Sequence, residues 1–354
     1  MRTLLVVALL LVAGGAADLT GGGVPLAARS ALAASAPASA PASAPASASA
    51  SASASASASA SASASGAASA SASGATSGCG RPPAIPLGRS GEQTLSSGGR
   101  QRSYLLHLPA GYRPNSPTPV VLAFHGRKGT GNDIEAFSGI DGLNAIAVYP
   151  RGLPANDGET AWQGAPGVSG VDDVRFVGDL LDRLQTTLCV DRARVFATGK
   201  SEGGGFTALL ACRLPSRIAA FATVSGAFYP GTDAGCAGSP PVPLLDLHGT
   251  GDKIISYDGG VSHQQHYPAM ADWLKRWASH NRCAATPNST SIGSDVTMLS
   301  WPGCAAGSAL VHYRIAGGGH TWPGAVAPSG PGKTSNTVSA TQVMWAFFTA
   351  HPRR

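Results

Sequence analysis

The sequence predicts an α/β protein with a mostly parallel central sheet, helices on both faces, and one catalytic domain. Three observations predict it. Short β-rich runs alternate with helical patterns along most of the chain, the signature of strand–helix–strand units. Several of those runs are almost wholly apolar, as strands covered on both faces are. Residues 1–78, by contrast, carry only Arg2, Asp18 and Arg29 as charged side chains and few large apolar ones, too little to offset the entropy of ordering a chain. The folded part is therefore residues 79–354, a usual size for a single α/β enzyme domain.

The elements follow in order. Residues 1–17 set Arg2 before the apolar run Leu4 to Val12 and then small residues. That is the layout of an export signal, and the run is too short to span a bilayer. Cleavage is expected near Ala16 or Ala17, or later near Ala33, so residues 1–33 are assigned to the signal, with an uncleaved anchor as the alternative. Residues 34–78 cycle through Ala-Pro-Ala-Ser and Ser-Ala repeats. Such alternation has no hydrophobic face at either period and reads as a disordered linker, either a tether through a cell wall or a glycosylated stalk, or else a tolerated low-complexity expansion. From Cys79 onward, Tyr104 to Leu108, Val120 to His125, Ala145 to Tyr149, Arg194 to Thr198, Ala220 to Ser225, Pro243 to His248 and Val311 to Ile315 read as strands. Asp172-Asp173 caps a helix with apolar Val174, Val177, Leu181, Leu184 and Leu188 at three- and four-residue spacing. Phe206 to Leu214, Ala269 to His280 and Ala340 to His351 read as further helices.

Composition excludes some partners. Net charge is +6 with pI near 9.1, and no run of five Lys or Arg occurs, so no nucleic acid is expected. No later stretch is apolar enough for membrane insertion, and a monomer is expected. Six cysteines in an exported chain predict three disulfides. Cys283 and Cys304 flank a short segment and form the firmest pair. Cys189 precedes a strand and Cys212 ends the helix returning from it, which predicts a second pair and leaves Cys79 with Cys236. No CxxC spacing occurs, so no metal site is expected.

Reactive loops in such sheets gather at the carboxyl ends of the strands. After Arg194 to Thr198 comes Gly199-Lys200-Ser201-Glu202-Gly203, a G-x-S-x-G turn between strand and helix. It would hold Ser201 exposed as a nucleophile above the helix amino terminus. A serine hydroxyl needs a base, and the base needs an orienting acid. The strand ending at His248 runs into Gly249-Thr250-Gly251-Asp252, which puts Asp252 where the acid belongs; Asp246 and Asp258 read as structural. The strand ending at Ile315 runs into Gly317-Gly318-Gly319-His320, which makes His320 the base. The oxyanion donors are expected to be the backbone N–H groups of Glu202 and of Arg127, in the loop His125-Gly126-Arg127. His125 is read as a loop-shaping residue ahead of a second base. Trp162 and Trp322 are candidate aromatic walls for a sugar or phenolic group, with packing as the alternative.

His-Gly after an apolar strand, G-x-S-x-G-G, the turn His248-Gly249-Thr250-Gly251-Asp252 and the run Gly317 to Gly324 together resemble the secreted esterases of the polyhydroxybutyrate depolymerase and feruloyl/acetylxylan esterase group. Asp172-Asp173-Val174, Cys189-Val190-Asp191 and Leu210-Ala211-Cys212 fit the same pattern, and the resemblance covers roughly Cys79 to the C-terminus. It implies an α/β-hydrolase fold, the triad Ser201, Asp252 and His320, and no cofactor. That family usually has an uncharged residue on each side of the serine; here they are Lys200 and Glu202. The expected activity is that of a secreted esterase, with cell-wall association as an option, cleaving feruloyl or acetyl esters of plant xylan. A hydroxyalkanoate depolymerase, an acyltransferase to a sugar and a catalytically silent surface-binding protein are the alternatives.

Overall fold

A computed structural model describes residues 77–353. The expected signal (residues 1–33) and all but the last two residues of the expected linker (34–78) lie outside the described residues. Packing begins at Gly78, where an added Cβ would lie 2.3 Å from Leu188 N.

In chain order the strands are β1 (Arg89–Ser97), β2 (Arg100–Leu108), β3 (Thr118–Phe124), β4 (Ile146–Pro150), β5 (Leu153–Pro154), β6 (Thr160–Ala161), β7 (Val190–Lys200), β8 (Ala220–Val224), β9 (Leu244–Gly249), β10 (Gly260–Ser262), β11 (Gln265–Tyr267), β12 (Asn288–Ile292), β13 (Val296–Trp301) and β14 (Leu310–Ile315). The α-helices are α1 (Gly131–Ser138), α2 (Asp173–Thr187), α3 (Glu202–Arg213), α4 (Met270–His280) and α5 (Ala340–Ala350). Ten strands form one sheet in the order β1-β2-β4-β3-β7-β8-β9-β14-β13-β12. The six from β4 to β14 run parallel, and antiparallel strands extend both edges.

The predicted helices and strands are all present, within a few residues of their expected ends. The parallel strands are apolar because both faces are covered. Along β7 the side chains alternate: Val195 and Ala197 join the core under α2, α3 and α4, while Phe196 points to the other face and stacks on Phe348 of α5 at 4.8 Å. Helix α2 and its C-cap Leu188 bury the five apolar positions the spacing predicted. Asp172 caps it by accepting from Arg175 N at 2.9 Å.

Strands β1, β12 and β13, the short pairs β5–β6 and β10–β11, and helix α1 were not expected. RSGEQTLSS and NSTSI are mostly exposed edge strands with no apolar period to read. Helix α1 has only eight residues, begins at Gly131 and stops at Gly139, whose φ is 68°.

Two disulfides differ from expectation. Cys283–Cys304 forms as predicted, but the other pairs are Cys79–Cys189 and Cys212–Cys236. Gly78 N donates to Gln185 O at 2.9 Å, which lays the domain's first residues along the end of α2 and brings Cys79 to Cys189. The connection after β8 folds back so that Gly235 packs on Arg213, and Cys236 meets Cys212 there. Cys79 and Cys236 lie outside regular helices and strands, where strand-and-helix reasoning has no reach.

Candidate active site

The turn after β7 is tight. Ser201 has φ 58° and ψ −125°, a strained conformation for a residue with a side chain. It is held by Ser201 N donating to Val224 O at 3.0 Å and by Ala227 N donating to Ser201 O at 2.9 Å. The flanking glycines are required: an added Cβ would lie 2.2 Å from Gly203 O at Gly199, and 2.1 Å from Phe124 O at Gly203. The loop after β3 abuts the serine, since a Cβ on Gly126 would lie 3.1 Å from Ser201 Cβ. Glu202, the first residue of α3, has a backbone N–H without an intrahelical partner.

Asp252 lies in the turn after β9 and is 3% exposed. Its Oδ1 accepts from Ile254 N at 2.8 Å and Ile255 N at 2.9 Å. Its Oδ2 accepts from His320 Nδ1 at 2.8 Å and lies 3.5 Å from His248 Nε2. Burial alone would raise this carboxyl, but the hydrogen bonds from His248 and His320 hold it well below the usual carboxylate range. His320 is 5% exposed in the loop after β14, its backbone N donating to Pro331 O at 2.9 Å. Burial lowers its pKa below the ordinary 6.5; Lys200 and His248 push the same way, against Asp252. With Nδ1 engaged by Asp252, Nε2 is the nitrogen left to take a proton. Among the described residues Ser201 Oγ makes no hydrogen bond to His320; such bonds commonly tighten only when substrate is bound.

Other histidines are occupied. His125 Nε2 accepts from Gly152 N at 3.0 Å and its Nδ1 donates to Gly126 O at 2.7 Å. Burial lowers its pKa to about 4, so it is neutral and shapes the loop. Beneath Asp252 lies a buried chain that sequence reasoning missed. Thr223 donates to Asp246 Oδ1 at 2.6 Å, Asp246 Oδ2 accepts from His312 Nδ1 at 2.8 Å, and His312 Nε2 accepts from Tyr257 OH at 2.8 Å. His312 sits directly opposite Asp246 in the β14–β9 ladder; the register that joins them was the missing signal. Asp246 is thus structural, as expected.

Arg127 and Glu202 are brought together by their side chains as well as by their loops. Arg127 Nη1 donates to Glu202 Oε1 at 3.0 Å. Lys200, on the other side of the serine, is 7% exposed, and no hydrogen bond or ion pair engages its ammonium among the described residues. Its Nζ lies against Gly330, 3.1 Å from where a Cβ would stand.

The two expected aromatic walls are a correction. Trp162 and Trp322 are fully buried. Trp162 stacks on Phe206 at 5.0 Å and donates to His125 O at 2.8 Å, while Trp322 donates to Thr341 Oγ1 at 3.1 Å. Both pack the floor of the loops instead of facing a substrate.

Away from this site, His107, Glu135 and Asp141 bring possible metal-ligand atoms within 4.8 Å of one another. They are tied into hydrogen bonds with Ser90 and Tyr149. No helix among the described residues is long and apolar enough to cross a membrane.

Comparison with known proteins gives a consistent result. The family model described as Esterase PHB depolymerase matches residues 102–296. Feruloyl esterase C of Emericella nidulans is 32% identical over 275 residues, covering 73% of this chain and 89% of that one. Feruloyl esterase D of Neurospora crassa is 28% identical over 289 residues, covering 76% and 88%. Among solved structures, an acetyl xylan esterase from Aspergillus awamori matches with a TM-score of 0.55 at 17% identity, over 73% of this chain and 99% of that one, a likeness of fold.

Proposed function

Because the chain belongs to the esterase PHB depolymerase family and is a carboxylic ester hydrolase, we propose that it cleaves feruloyl or acetyl esters of plant xylan through an acyl-enzyme on Ser201. The observation that carries the reading is the buried 2.8 Å hydrogen bond from His320 to Asp252, from loops after neighbouring strands of the sheet whose β7 leads directly into Ser201. The relatives' printed activities supply the substrate class.

In this mechanism Ser201 Oγ attacks the ester carbonyl while His320 Nε2 takes its proton. Asp252 fixes the imidazole with Nδ1 protonated and Nε2 free, and stabilises the imidazolium that forms. The carbonyl oxygen gains negative charge between the backbone N–H groups of Arg127 and Glu202. The alcohol leaves with the proton from His320. Water then attacks the acyl-enzyme by the same route, and the carboxylic acid departs.

Three disulfides support an oxidising, extracellular compartment, consistent with export by residues 1–33 and a spacer at 34–78. The family's own description favours a second reading, hydrolysis of hydroxybutyrate oligomers. Methyl ferulate, acetylated xylan and hydroxybutyrate oligomers, assayed side by side with wild type and Ser201→Ala, separate the two. Preference for the oligomers would replace the xylan reading, and unchanged turnover in Ser201→Ala would remove the acyl-enzyme.

A further inference from the structure

Arg127 and Glu202 stand on different loops, one after β3 and one directly after Ser201. If each lends a backbone N–H to the same oxyanion, the spacing of their backbones decides how well that oxygen is held. Their side chains are joined at 3.0 Å, with 9% and 3% side-chain exposure. The rest of the guanidinium is also engaged. Nε donates to Glu159 Oε2 at 2.9 Å, Nη2 to Asp157 Oδ2 at 2.5 Å, and Nη1 also to Pro166 O at 3.2 Å. One planar fork therefore ties together the loop after β3, the segment around β5 and β6, and the nucleophile turn. A lysine has no such fork.

Keeping a carboxylate there is costly. Burial pushes Glu202 up to about 7 against the pull of Arg127, and its Oε2 is buried without a partner. A buried charge with an orphaned oxygen beside a nucleophile is a local rule broken at a functional site. Because Oε2 is sealed from solvent, substrate contact is a poor account of it.

We propose that the Arg127–Glu202 ion pair is a positioning strut that sets the spacing of the two oxyanion donors and acts on the transition state, not on substrate affinity. The proposal rests on the reading of Ser201 as nucleophile and of these two backbones as donors. Losing a whole donor costs about 100- to 1000-fold in kcat; a donor displaced by up to an ångström should cost about 10- to 100-fold.

The test compares Glu202→Ala, Glu202→Gln and Arg127→Lys with wild type on methyl ferulate. Phenylboronic acid serves as the tetrahedral mimic and ferulate as the product inhibitor. Glu202→Ala is expected to lose about 10- to 100-fold in kcat with KM within about two-fold, and to lose boronate affinity in parallel while ferulate inhibition holds. Glu202→Gln keeps an acceptor for Arg127 Nη1 and should recover most of the loss. Arg127→Lys should resemble Glu202→Ala, and carries the test if Glu202→Ala is too unstable to assay. Unchanged kcat and boronate affinity would overturn the strut. So would a raised KM at unchanged kcat, which would make Glu202 a substrate contact. Full turnover by Ser201→Ala would instead overturn the underlying mechanism.

Discussion

Replacing Asp252 with Asn tests the acid through its hydrogen bonds. Asp252 Oδ1 already accepts two backbone N–H groups, from Ile254 at 2.8 Å and Ile255 at 2.9 Å. An asparagine keeps its carbonyl oxygen there, because turning its NH2 to that side would set donors against donors. The NH2 then faces His320 Nδ1, across what is now a 2.8 Å bond. The ring must accept on Nδ1 and carry its proton on Nε2, the tautomer unable to receive a proton from Ser201. The imidazolium also loses its counter-charge: at 2.8 Å and an effective dielectric near 20, that attraction is about 6 kcal/mol. These are two views of one interaction and do not add. They place the loss in kcat near 10⁴-fold, about 5.5 kcal/mol of barrier. Both backbone hydrogen bonds survive, but the stability that the depressed Asp252 pKa contributes at neutral pH is lost, so the thermal unfolding midpoint should fall while the fold is kept. The assay is steady-state hydrolysis of p-nitrophenyl acetate and methyl ferulate at neutral pH, with circular dichroism to check the fold. A well-folded Asp252→Asn with less than a ten-fold loss would refute the assignment.

Three further outcomes are expected. His320's pKa lies below 6.5 through burial and Lys200, so the acid limb of kcat/KM should fall below pH 6.5, and Lys200→Met should move it up. The same variant should be more stable. Burial lowers Lys200 from 10.5 to about 8, so between those values only the unfolded chain holds the proton; the penalty is complete below pH 8, fades as pH rises to 10.5, and is on the order of 3 kcal/mol. An acid limb that stays put, or a denaturation curve at pH 7 without a gain, would contradict this. Removing Cys79–Cys189 as a double Ser variant should destabilise most, because it closes 110 residues against 24 and 21 for the others, about 5 against about 3.4 kcal/mol by loop entropy. Urea unfolding of the three double variants ranks them, and peptide mapping of the unreduced protein checks the pairing. Trp162→Phe leaves His125 O without its donor, so about 1–3 kcal/mol of stability should go while the ratio of ferulate to acetate kcat/KM stays unchanged; a shifted ratio would restore Trp162 as a substrate wall.

The parallel core and the strand-end turns that carry Ser201, Asp252 and His320 were legible for a shared physical reason. Strands such as Val120 to Phe124 are apolar because both faces are covered, and in such a sheet the chain order places reactive turns at strand ends. Gly199 and Gly203 were readable because Gly203 O and Phe124 O occupy the space a side chain would need. What escaped depends on contacts between segments far apart in sequence. The β1 and β12 edges carry no apolar period. The Asp246–His312 bond needs a ladder register, and the Cys79–Cys189 pair needs the path of a loop. Trp162 and Trp322 show the same limit from the opposite direction: an aromatic beside a reactive loop looks alike in sequence whether it faces substrate or the floor, and only burial separates the two.

Lys200 and Glu202, the charged residues on either side of Ser201, acquire distinct meanings once their neighbours are known. Lys200 reaches the loop that carries His320 and is electrostatically coupled to Asp252 and His320. Glu202 reaches Arg127 and the loop expected to supply the second oxyanion donor. Under the proposed mechanism one charge would bear on proton transfer and the other on the developing oxyanion. Each is buried at a cost, Lys200 without a counter-ion in contact among the described residues and Glu202 with an orphaned oxygen. A packing role alone would have been met better by apolar side chains of similar volume. In the proposed mechanism the two act on different groups within the same step, the imidazole and the oxyanion, so their variants should be kinetically distinguishable. Lys200→Met should shift the pH profile and leave the affinity for a tetrahedral mimic intact at the pH optimum, while Glu202→Ala should weaken that affinity across the pH range.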